Sequence, residues 1–266
     1  MVGPLADWAE STFTWEGTTR PVFRLGTGPG VVVVHEVPGI TPEVERFARR
    51  VVDAGFTVVM PSLFGTPGRP ASGPYALSQL VRVCIRREFV ALHAGRTSPI
   101  TALLRAVAAQ LHQELGGPGV GAVGMCLTGG FALAMVLEPA VVAPVMSQPS
   151  LPLGVTPRLR RDPGLSPADA DVVRRRVAEE ELCVVGLRFE DDPVSPRTRF
   201  ERLGEWLGPG FQPVSVPTGP GTPFPRRRAH AVLTHTFKGP GAAERLDEDV
   251  RSVIDFLADR LRPTTG

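Results

Sequence analysis

The stretch Val31-Val32-Val33-Val34-His35-Glu36 is followed by Thr41-Pro42-Glu43 and, past Gly55, by Phe56-Thr57-Val58-Val59-Met60-Pro61. Four β-branched residues in a row, without polar alternation, predict a strand covered on both faces, as in a parallel sheet. Thr41 suits a helix N-cap, Pro42 the first helical position and Glu43 the first turn. The helix runs to about Ala54, where Gly55 closes it. A second apolar strand runs from Phe56 to Met60 and stops at Pro61. Strand, helix and strand in that order demand a right-handed crossover between parallel neighbours.

The same alternation extends outward from this unit. Residues 11–17 and 20–25 read as two short strands around Gly17. Apolar residues at 77, 80, 81, 84, 85, 89 and 92 have the spacing of an amphipathic helix. Ser98-Pro99 opens a helix to about Leu115. Further strands are expected at 119–125, 140–146, 182–189 and 211–216, and helices at 127–137, 166–181, after Ser195-Pro196, and at 243–262. Arg174–Arg176 are expected on the solvated side of the 166–181 helix. Strands alternating with helices give an α/β class with a mostly parallel sheet flanked by helices. The expectation is one domain over residues 1–266. Segments 66–99 and 147–180 exceed what a minimal core needs and are candidate cap insertions.

Composition removes whole classes of function. Charged residues are 21% and hydrophobic ones 42%, which excludes a disordered charged tail. A net charge of +2 is too small to make nucleic acid or a membrane surface the main partner. Three cysteines, Cys84, Cys126 and Cys183, do not form a disulfide framework and point to a reducing compartment. The first ten residues lack the basic-then-apolar pattern of a signal peptide, so the cytoplasm is expected. Gly116 to Leu137 carries no charge over 22 residues, enough to span a bilayer. Its seven glycines fit a strand, a sharp turn and a buried helix better.

That stretch contains Gly124-Met125-Cys126-Leu127-Thr128-Gly129-Gly130, an apolar strand entering a glycine-flanked cysteine and then a helix. It is the nucleophile-elbow layout G-x-S-x-G with cysteine in the serine position. The following N–H groups favour a thiolate, and that of Leu127 faces a developing oxyanion. Four other readings compete. A cysteine is often a small buried residue, the reading preferred for Cys84 and Cys183. Gly119 to Gly124 spells G-x-G-x-x-G, but Leu115 to Pro118 cannot supply the strand a dinucleotide site needs before it. A phosphatase-like loop wants an arginine soon after the cysteine, and Leu127 to Leu137 has none. A thiol redox role has no second cysteine nearby in sequence.

Partners for Cys126 follow in the chain. The 182–189 strand runs into Glu190-Asp191-Asp192-Pro193-Val194-Ser195-Pro196, which puts an aspartate at the carboxyl edge of the sheet. It reads equally as a helix-entry carboxylate. The loop after the last strand supplies His230 and His235, and taken singly each reads as an exposed loop histidine. Glu36 ends the first buried strand and faces the same edge as Cys126; otherwise it is a solvated loop acid. The Val37 N–H is then a second oxyanion donor. Arg86, Arg87 and Arg226–Arg228 offer charge for a substrate carboxylate, or form a solvated basic face.

Taken together, Val33 to Ile40, Gly55 to Gly65 and Gly124 to Gly130 resemble the dienelactone hydrolase family. The resemblance runs from about Val31 to Leu261 and implies an α/β-hydrolase fold and a Cys-His-Asp triad acting on an ester or lactone. It maps Cys126 as nucleophile and Glu36 as the carboxylate that contacts the resting cysteine and controls its ionisation. It implies no metal and no organic cofactor, and a small-molecule substrate as partner. Asp192, four residues before Pro196, resembles the family's D-x-x-x-P and is preferred over Asp191. His230, in Ala229-His230-Ala231-Val232, is preferred over His235, although His235-Thr236-Phe237 keeps the family's phenylalanine. The rival from another class is a non-catalytic binding or regulatory protein on the same fold.

Overall fold

The computed structural model describes residues 3–85, 95–151 and 156–262. Its strands are β1 (Ala9–Trp15), β2 (Thr18–Leu25), β3 (Gly30–Val34), β4 (Thr57–Pro61), β5 (Val120–Met125), β6 (Val141–Ser147), β7 (Val184–Phe189) and β8 (Phe211–Val216). The helices are α1 (Pro42–Asp53), α2 (Gly73–Ile85), α3 (Ile100–Leu115), α4 (Gly129–Met135), α5 (Pro157–Arg161), α6 (Pro167–Glu179), α7 (Arg197–Leu207) and α8 (Ala242–Leu261). All eight strands form one sheet in the order β1-β2-β4-β3-β5-β6-β7-β8. β1, β2 and β4 pair antiparallel, and every pairing from β4 to β8 is parallel.

The valine run shows why the sheet needs two helical layers. Val32 and Val34 face α3, α4, α6 and α7, whereas Val31 and Val33 face α1 and α8. All four are fully buried, each worth about 1.5–3 kcal/mol of transfer free energy. Strand alternation is therefore present, but both faces are covered and the sequence reads as continuous. At α1, Thr41 Oγ1 accepts the Val44 N–H at 3.3 Å and Pro42 takes the first position. Gly55 follows at φ +89°, a left-handed value that favours glycine.

As expected, the charge-free stretch from Gly116 to Leu137 divides into β5, one 3-10 turn (Cys126–Thr128) and α4. Among the described residues no helix is long and apolar enough to cross a membrane. α2 begins at Gly73, earlier than its apolar spacing indicated. The 147–180 segment carries the additional short helix α5 before α6.

Arg176 is not solvated. It is 8% exposed, and its guanidinium donates to the carbonyls of Val136, Glu138, Pro139 and Val141. Those bonds satisfy carbonyls at the end of α4 and along the turn into β6, a demand invisible from α6 alone. Ser195 does not cap α7. The N-cap is Pro196, and the Val194 and Ser195 N–H groups donate instead to Asp192 Oδ1, at 2.9 and 3.2 Å.

Candidate active site

The site gathers at the carboxyl edge of β3, β5, β6 and β7, where the parallel strands release their loops. The chain leaves β5 at Met125 and turns at Cys126, whose φ of +53° is rare for a non-glycine residue. That conformation costs on the order of 1–3 kcal/mol and holds the sulfur out from the turn. The turn leaves no room at position 124, where a Cβ would lie 2.2 Å from the Thr128 carbonyl oxygen. Thr128 ties the turn together. Its Oγ1 accepts the Met125 N–H at 3.0 Å and lies 2.9 Å from Val34 O, an acceptor for its proton.

The loop after β3 is fixed by His35, which is fully buried. The Leu63 N–H donates to its Nε2 at 3.0 Å, so Nδ1 carries the proton and donates to Glu36 O, also at 3.0 Å. Burial pulls this histidine down to about 4, against the opposing hydrogen bond to Glu36 O, so the ring is neutral near pH 7. Its role is to clamp the Glu36–Val37 turn onto the loop after β4. Glu36 is itself 8% exposed. Thr234 Oγ1 donates to its Oε1 at 2.5 Å and Gln148 Nε2 to its Oε2 at 3.1 Å. Burial still dominates and raises the Glu36 carboxyl, favouring its neutral form, against those bonds and the nearby His230.

The two aspartates separate cleanly. Asp192 is 2% exposed, and its Oδ2 accepts from His230 Nδ1 at 2.6 Å. Asp191 turns the other way, towards Thr218 Oγ1 and the exposed Arg226. The histidines separate too. The His235 ring sits among Phe189, Phe224 and Phe237, with centroids 5.1–6.1 Å away. Burial lowers its pKa. A ring nitrogen of His230, the Cys126 sulfur and a Glu36 carboxylate oxygen all lie within 4.8 Å of one another. His230 Nε2 is buried without a hydrogen-bond partner among the described residues. Burial works against the His230 imidazolium. The Cys126 sulfur and the bond to Asp192 outweigh it and hold His230 well above the usual histidine range.

Four further residues shape the site without any signal in the sequence. Ser150 Oγ lies 3.1 Å from Cys126 Sγ, and the Ser150 N–H donates to Cys126 O at 2.9 Å. Gln148 bridges from Glu36 to the Val232 N–H, two residues past His230. Thr234 closes the other side of Glu36. Arg199, 2% exposed, donates to the carbonyls of Pro149, Leu159 and Asp162, pinning the excursion that carries Ser150. Gln148, Ser150 and Thr234 lie in irregular chain, where no periodicity marks them, and Arg199 looks like one more charge on an amphipathic helix. Of the candidate substrate arginines, Arg86 and Arg87 lie outside the described residues. Arg226–Arg228 are exposed, and Arg226 is paired with Asp191.

Comparison with known proteins adds an independent line. The model of the dienelactone hydrolase family matches residues 20–154, just over half of the chain. YghX of Escherichia coli strain K12, a fragment described as a hydrolase, is 41% identical over 58 residues. That match covers 20% of this chain and spans only half of the fragment's own length. Two solved structures are similar over nearly their full length. One is described as a dienelactone hydrolase, from Klebsiella pneumoniae subsp. pneumoniae MGH 78578, with a TM-score of 0.61 and 18% identity over 93% of this chain and 98% of its own. The other, a dienelactone hydrolase from Anabaena variabilis ATCC 29413, has a TM-score of 0.60 and 16% identity over 96% and 100%. At such identities the structural likeness is one of fold.

Proposed function

The chain belongs to the dienelactone hydrolase family, and from that premise we propose that it hydrolyses a carboxylic ester or lactone through Cys126, His230 and Asp192. The observation that best supports this reading is the bond from His230 Nδ1 to Asp192 Oδ2 at 2.6 Å, on a ring that also brings a nitrogen within 4.8 Å of the Cys126 sulfur. The carboxylate fixes the tautomer, so that Nε2 is the nitrogen left to exchange a proton with sulfur.

In this reading the resting pair is Cys126 thiolate and His230 imidazolium. The thiolate attacks the carbonyl carbon, and the N–H groups of Val37 and Leu127 hold the oxyanion. Collapse expels the alkoxide, which takes the proton from His230 and leaves a thioester on Cys126. Neutral His230 then removes a proton from water, the hydroxide attacks the thioester, and the thiolate departs. The acid and alcohol are released, or for a lactone one hydroxy acid. Burial raises the Glu36 carboxyl and so disfavours a second negative charge beside the thiolate. Ser150, on the excursion after β6, forms part of the wall of the substrate cleft, a role supported by its contact with Cys126. A thioester intermediate suits lactones and activated esters better than amides.

The test compares alkylation of Cys126 at pH 6 in the parent, His230→Ala and His235→Ala proteins, beside a screen of lactones and aryl esters. The His230 variant loses alkylation rate by about tenfold or more, because an unassisted thiol is largely protonated at that pH. It loses hydrolysis by about 10²–10⁴. The His235 variant keeps both. Equal alkylation in the parent and the His230 variant, with every ester surviving, overturns the reading in favour of a binding protein on the same fold.

A further inference from the structure

The Cys126, His230 and Glu36 donors form a three-sided set of sulfur, nitrogen and oxygen, all within 4.8 Å of one another. We infer that this set is also an inhibitory site for a thiophilic divalent cation of the zinc type, which occupies the cleft in place of substrate. The inference rests on the same three side chains as the hydrolase reading but needs only their geometry.

Zinc takes sulfur at about 2.3 Å and nitrogen or oxygen at about 2.0–2.2 Å in a tetrahedral shell. Its donors then stand about 3.3–3.7 Å apart, so the set needs to close by at most about 1.5 Å.

The surroundings are those a metal site requires. A ligating histidine gives its other ring N–H to a carboxylate or carbonyl, which fixes the tautomer. His230 Nδ1 meets Asp192 at 2.6 Å, while Nε2 is buried and unpartnered among the described residues. A ligating carboxylate is oriented by donors, and Glu36 has Thr234 on Oε1 and Gln148 on Oε2. Each oxygen keeps a further lone pair for the ion. Cys126 Sγ has Ser150 Oγ at 3.1 Å. Glu36 has no Lys or Arg bonded to it among the described contacts. With the sulfur lone pair and His230 Nε2 both bound, neither nucleophilic attack nor proton transfer proceeds.

The test titrates the full-length protein with Co²⁺ under anaerobic conditions, without substrate. The expected result is one equivalent giving a thiolate-to-cobalt charge-transfer band and the strong visible bands of a four-coordinate ion, both erased by one equivalent of Zn²⁺. Competition with a chromophoric chelator then compares Zn²⁺ affinity. Glu36→Gln and His230→Gln each lower it about tenfold or more, and Cys126→Ser, which keeps Cys84 and Cys183, abolishes the charge-transfer band. Iodoacetamide-blocked parent, whose fold is untouched, also loses the band. Absence of the band overturns the site, as does a band whose affinity is unchanged by the Glu36 and His230 variants. The readout needs no turnover. An inactive protein that gives the band supports the site and removes only the catalytic reading. An active hydrolase without the band removes only the site.

Discussion

Lowering the pH from 7 to 4.5 should cost the protein stability through His35 alone, by an amount the structure sets. The folded ring is fully buried, accepts the Leu63 N–H on Nε2 and is held at about 4. The unfolded chain has the ordinary histidine value of 6.5. The folded value lies below the unfolded one, so the contribution is complete above 6.5 and is lost as pH falls towards 4. Between those limits the unfolded chain binds a proton that the folded chain refuses. At about 1.4 kcal/mol per pH unit the full loss is ~3 kcal/mol, of which about 2–3 kcal/mol has gone by pH 4.5. The assay is urea unfolding at both pH values for the parent and His35→Gln. The variant starts less stable because the Leu63 N–H loses its partner, but its loss on acidification is smaller than the parent's by about 2–3 kcal/mol. Equal losses in the two proteins would refute the claim that this ring is held neutral between β3 and the loop after β4.

Three other perturbations separate the roles assigned above. Asp192→Asn offers His230 Nδ1 an amide in place of a carboxylate, so the proton moves to Nε2 and kcat falls by about 10³–10⁴, with the melting temperature reporting that the Val194 and Ser195 contacts persist. His235→Ala removes a ring from the Phe189, Phe224 and Phe237 cluster; stability drops by about 1–3 kcal/mol in chemical denaturation, while kcat stays within a few-fold of the parent. Gly124→Ala sets a Cβ 2.2 Å from the Thr128 carbonyl oxygen, so either the turn shifts and Cys126 alkylation slows, or the soluble yield of folded protein falls.

What the sequence disclosed and what it concealed divide along physical lines. The valine run, the Thr41-Pro42 cap and the Gly124-to-Gly130 turn are local signals, since each depends on residues a few positions apart. They carry the parallel sheet and the position of Cys126 at its edge. Asp191 and Asp192 look alike locally. Which one meets His230 depends on how the chain turns after Phe189, with Asp192 Oδ1 taking the next two N–H groups. Gln148 and Ser150 are 22 and 24 residues past Cys126 in irregular chain, and only the fold of that excursion brings Ser150 onto the sulfur. Arg176 and Arg199 were hidden for another reason. Burying a guanidinium is costly, so Arg176 was expected on a solvated face, and nothing local marks either arginine as buried until the orphan carbonyls that surround it are in place.

The most direct test of the central claim is rapid acid quenching of the full-length protein with an activated aryl ester, followed by mass spectrometry of the intact chain and of the peptide carrying Cys126. The account predicts a transient mass gain equal to the acyl group, located on Cys126, accumulating with a burst of aryl alcohol and clearing at the rate of turnover. Hydrolysis that proceeds with no adduct on Cys126, and that survives Cys126→Ala, would contradict it.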